Sequence, residues 1–100
     1  MTQLTAAERL AKVKVALYGT AEMNFNDEQL QFYIDDVIEE LVLGGVDRTV
    51  AESAAAVGCI ALGVNDRWNY SSGGVKHSEL FIRRMIQLSA KRVTSDVSTE

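Results

Sequence analysis

The sequence predicts an all-α domain, a small bundle of about four helices with a Ser/Gly loop between the third and fourth. Three observations predict it. The 100 residues contain no proline and only seven glycines, too little turn punctuation for a strand-rich sandwich. The apolar share, 47%, and the charged share, 24%, are those of a globular domain with a buried core. Apolar residues recur every three or four positions in four separate segments, each opened by a capping residue. At this length one domain suffices, and residues 1–93 are assigned to it, with 94–100 as a flexible tail.

The first helix opens at Thr5, where Thr-Ala-Ala-Glu is a capping box. The Thr5 hydroxyl accepts an orphan amide while Glu8 reaches back. Leu10, Val13 and Leu17 supply the inner face, and Gly19 is placed to end the helix. The second helix starts after Asn26, with Asp27 and Glu28 in the turn where the helix dipole favours negative charge. Leu30, Ile34, Val37, Ile38 and Leu41 form its apolar stripe, and Gly44-Gly45 stops it. The opposite face carries Asp35, Asp36, Glu39 and Glu40.

The third helix is read as continuous from Arg48 to Trp68, capped by Asp47. Its expected seam is Val50, Ala54, Val57, Ala61, Val64 and Trp68. Gly58 and Gly63 each cost about 1 kcal/mol of helix propensity, which close packing would offset. Cys59 reads as a small core residue. The fourth helix is capped by Ser78 and runs to about Val93. Phe81, Ile82, Met85, Ile86, Leu88 and Val93 are placed inward and Arg83, Arg84, Gln87, Lys91 and Arg92 outward. The tail, Thr94, Ser95, Asp96, Val97 and the three residues after them, has one apolar side chain and is expected to be disordered alone.

Several function classes lose support at this level. The single cysteine excludes a disulfide framework within the chain, and no Cys/His set has zinc spacing. His77 is the only histidine, and Ser71, Ser72 and Ser78 lack the partners a nucleophile needs. No phosphate loop or nucleophile elbow is present, so a non-enzyme without cofactor or metal is expected. The N-terminal residues lack the apolar core of a signal peptide, and the longest apolar run, Ser53 to Val64, is too short to span a membrane.

Charge is divided along the chain. Eight acids and no Lys or Arg lie between Gly19 and Asp47. Six bases and one acid, Glu79, lie between Arg67 and Arg92. Two readings follow. The two signs complement each other inside one monomer, or the acidic side of one copy, through Asp35, Asp36, Glu39 and Glu40, docks against Arg83, Arg84 and Lys91 of the next. The second contact is head-to-tail and builds a ring when its rotation closes. The net charge of −4 argues against adhesive binding to nucleic acid.

The stretch "NDRWNYSSGGVKHSELFIRRMIQL" carries a resemblance. Asp66 and Trp68 at a helix end, Tyr70, Gly73 and Gly74, then Ser78, Phe81, Arg84 and Gln87-Leu88 resemble the helix connection of the head–tail connector (head-completion or adaptor) proteins of long-tailed bacteriophages. The resemblance implies a structural virion protein, made in the host cytoplasm and placed in the neck between capsid and tail. It implies a homo-oligomeric ring, twelvefold in the family, beneath the portal protein. That ring extends the DNA channel without sequence-specific DNA binding and offers a platform to a stopper or tail-completion protein. Within it Asp66, Trp68, Tyr70, Ser78 and Phe81 form a structural corner. Ser71, Ser72, Gly73 and Gly74, with the tail, are the partner-binding segments. The alternative is a stand-alone helical adaptor or regulator of a cellular complex.

Overall fold

The computed structural model describes residues 2–19, 26–68 and 78–91. They form α1 (Ala6–Tyr18), α2 (Asp27–Leu43), α3 (Arg48–Ala51), a 3-10 turn (Ala54–Ala56), α4 (Val57–Trp68) and α5 (Glu79–Ser89). Four of the five α-helices are long, and they make a small all-α bundle.

Local chemistry sets most boundaries. Thr5 Oγ1 accepts from Glu8 N at 3.1 Å, and Thr5 N donates to Glu8 Oε1 at 2.8 Å. The Thr5 backbone N–H first, and its side chain after it, hold the Glu8 carboxyl below the usual range. Gly19 closes α1 at φ +84°, a left-handed conformation that favours glycine. Asn26, Asp47 and Ser78 each accept from a backbone N–H of the helix they precede.

α4 occupies the centre and packs on both α1 and α2. The expected stripe of α2, Leu30, Ile34, Val37, Ile38 and Leu41, is buried throughout. Val13, Val50, Ile60, Val64, Phe81 and Leu88 complete the centre of the core.

The long third helix is not continuous. It breaks at Glu52–Ser53 into α3, the 3-10 turn and α4. Ser53 competes with the helix for backbone partners: its Oγ donates to Val50 O at 2.7 Å and accepts from Ala55 N at 3.2 Å. The N-terminal segment fixes the break. Ala54 N donates to Thr2 O at 2.8 Å, Gln3 bridges to Ser53, and Arg9 Nη2 donates to Leu4 O and Glu52 O. The interruption changes the phase of the inward face. Ala54 is exposed and Val57 half-buried, whereas Ala56 and Ile60 take the inward positions.

The two glycines of α4 sit in opposite surroundings. A Cβ on Gly63 would lie 2.8 Å from both Phe81 Cε1 and Val37 Cγ1, two core side chains with no room to yield. At Gly58 the nearest atom to such a Cβ is Arg84 Nη1 at 3.9 Å. Overpacking costs about 1–3 kcal/mol, against about 1 kcal/mol gained in helix propensity. Gly63→Ala is therefore expected to lower the urea midpoint and Gly58→Ala to raise it. Equal shifts for the two would remove the account of Gly63 as a contact between α2, α4 and α5.

Candidate assembly surface

The corner residues of the resemblance divide. Asp66 Oδ2 accepts from Ser78 N at 2.9 Å, and Ser78 Oγ accepts from Phe81 N at 3.1 Å. One carboxylate at the end of α4 therefore fixes where α5 begins. Phe81 is fully buried, and its ring and Val37 both converge on Gly63. Trp68 ends α4, but its side chain lies outside the described residues, as do Tyr70, Ser71, Ser72, Gly73, Gly74 and the tail positions Thr94, Ser95, Asp96 and Val97.

The acidic strip of α2 is largely engaged within the chain. Arg67, buried in α4, donates through Nε to Asp36 Oδ2 and through Nη2 to Glu40 Oε1, both at 2.8 Å. Its Nη1 donates to Gly63 O at 3.3 Å. Glu39 accepts from Arg48, and this partner holds its carboxyl below the usual range. The buried Lys14 of α1 meets Asp27 at 2.8 Å, tying α1 to the start of α2. Asp35 accepts from Gln31 at 2.9 Å and stays exposed. Sequence reasoning counted Arg67 among the six bases of the basic stretch and assigned it no partner. Its spacing from Ile60 and Val64 places it on the same face as the core, a signal the sequence did contain.

The basic residues of α5 are differently disposed. Arg83 pairs with Glu79 one turn away at 3.2 Å. Arg84 has no carboxylate at ion-pair distance among the described residues. Lys91 lies just past the end of the helix and is exposed. Ile82 and Ile86, expected inward, are exposed at 41% and 61%. The reason is geometric: α5 packs through the arc of Phe81, Met85 and Leu88, and both isoleucines lie beyond its edge.

A groove of about 400 Å³ opens between α1, α4 and α5. Ala16, Gly58 and Ala61 leave room in it by being small, and Leu17, Leu62 and Leu80 make it apolar. Asn65 and Arg84 are its polar members. A second, smaller hollow of about 160 Å³ shares Arg84 and reaches Cys59 and Lys91. Burial pushes the Cys59 thiol up to about 11, so it is protonated at neutral pH. Among the described residues no group of three His, Cys, Asp or Glu side chains is placed to hold a metal. No described helix is long and apolar enough to cross a membrane.

Such an arrangement offers protein-binding chemistry: an apolar groove with one unpaired cation, on a bundle whose other face is acidic. Comparison with protein-family models, curated proteins and solved structures returns no match.

Proposed function

We propose that the chain is a head–tail connector subunit, a structural virion protein that forms a ring beneath the portal protein. In this reading the ring extends the DNA channel and carries the stopper or tail-completion protein. It acts without cofactor or catalysis. The observation that carries the reading is the Asp66–Ser78 clasp at 2.9 Å, formed by two residues of the connector-like stretch. It gives that motif a physical task, closing the α4–α5 connection so that both its ends leave the bundle at one point. The all-α fold and the negative net charge support the same reading, because an acidic channel wall lets a duplex slide instead of sticking.

Negative-stain imaging of the protein mixed with the portal protein encoded in the same genome tests it. Rings capping the portal are expected. Protomers that never attach to portal, while binding a cellular complex instead, would replace the connector with the stand-alone helical adaptor.

A further inference from the structure

We propose that a second copy of this chain docks in the groove between α1, α4 and α5, inserting Phe32 from the outer face of its α2. This contact goes beyond the connector reading, since it would serve any assembly of this chain.

The inserting surface is one row. Glu28, Phe32, Asp35, Glu39 and Leu43 follow i, i+4, i+7, i+11 and i+15 along α2, opposite the buried stripe. Phe32 is 66% exposed and Leu43 87% exposed. The Phe32 ring lies beside that of Tyr33, at a centroid distance of 6.2 Å. Glu28 and Asp35, on either side of Phe32, have no ion-pair partner among the described residues. An exposed aromatic flanked by two unpaired carboxylates seeks an apolar hollow with a cation beside it.

The groove supplies that complement. It is an open hollow of about 400 Å³, with room for a phenyl ring. Its cation, Arg84, has the same unmet need in the opposite sign.

Placement makes the contact one between copies. α4 turns Gly63 and Arg67 toward α2, and it presents Gly58, Ala61 and Leu62 to the groove on its far side. Phe32 faces away from α4 altogether. The two surfaces therefore lie on opposite sides of the molecule, and no chain fills its own groove. A two-fold contact pairing α2 with α2 would set like charges together, which is disfavoured. The head-to-tail contact has complementary charges, and it repeats until it closes.

Sedimentation of the free chain and mixed cysteine cross-linking test the contact. Phe32→Ala is expected to weaken association roughly thirtyfold, as for a central aromatic anchor. Arg84→Glu should weaken it as well, and Asp35→Lys combined with Arg84→Glu should restore it. All three positions are exposed, so unchanged circular-dichroism melts are expected. Phe32→Cys mixed with Leu62→Cys should form a disulfide between chains that neither variant forms alone, the buried Cys59 being no competitor. Association that ignores Phe32→Ala and Arg84→Glu, or a Phe32→Cys and Leu62→Cys mixture that gives no disulfide either free or on a portal, overturns the contact. Portal-bound rings lacking the cross-link overturn it and leave the connector reading standing. Cross-linked free chains that ignore the portal do the reverse.

Discussion

Phe81→Ala is expected to lower stability by about 3–5 kcal/mol, the cost of deleting a buried aromatic ring and leaving its cavity. Phe81 is among the largest fully buried side chains and touches the Cβ position of Gly63, where Val37 also converges. Its carbonyl accepts from Cys59 Sγ at 3.9 Å, so ring and backbone both join α5 to α4. In a domain of this length such a loss corresponds to a fall of more than about ten degrees in melting temperature. The shape argument is checked by coupling. Phe81→Leu opens space beside Gly63, so Gly63→Ala should cost less in the Phe81→Leu background than alone. Strict additivity of the two in denaturant titrations would show that they do not share one contact.

How far the sequence carried this structure depended on the range of the forces involved. Thr5, Asn26, Asp47 and Ser78 were legible as caps because a cap is satisfied by amides two or three residues away. The stripe of α2 was legible because all five of its members face one continuous core. The break at Ser53 was not, because its partners Thr2, Gln3 and Arg9 come from the far end of the described chain. Beyond the break Ala61 and Val64 are buried as expected, and Ile60 and Arg67 join them inside. The same contrast holds at the surface. The Asp66–Ser78 clasp joins two residues of one short stretch, twelve positions apart. The groove is set by the mutual placement of three helices, which no local pattern records.

The charge division also needed the structure to resolve it. Lys14, Arg48 and Arg67 neutralise Asp27, Glu39, Asp36 and Glu40 from within, so complementation inside the monomer accounts for half of the eight acids. Those pairs lie within one chain, whereas Glu28, Asp35 and Arg84 have no ion-pair partner among the described residues.

The second large effect is expected from Asp36→Ala combined with Glu40→Ala, and it is asymmetric. The Arg67 side chain is 6% exposed, whereas its partners are 54% and 40% exposed. Removing both carboxylates strands a buried guanidinium with Gly63 O as its one remaining partner among the described residues. Breaking a buried pair in this sense costs about 3–5 kcal/mol. Removing the cation instead, by Arg67→Met, keeps most of the packing and frees two carboxylates that already reach water. That change should cost about 1 kcal/mol or less, mainly the repulsion of two acids one turn apart. Adding Arg67→Met to the double alanine variant should then recover most of the lost stability, because no unpaired charge is left inside. Urea midpoints at unchanged slope measure all three variants. Equal losses for Arg67→Met and the double alanine would mean that the guanidinium is hydrated. The join between α2 and α4 would then rest on apolar packing, Val37 against Gly63 included.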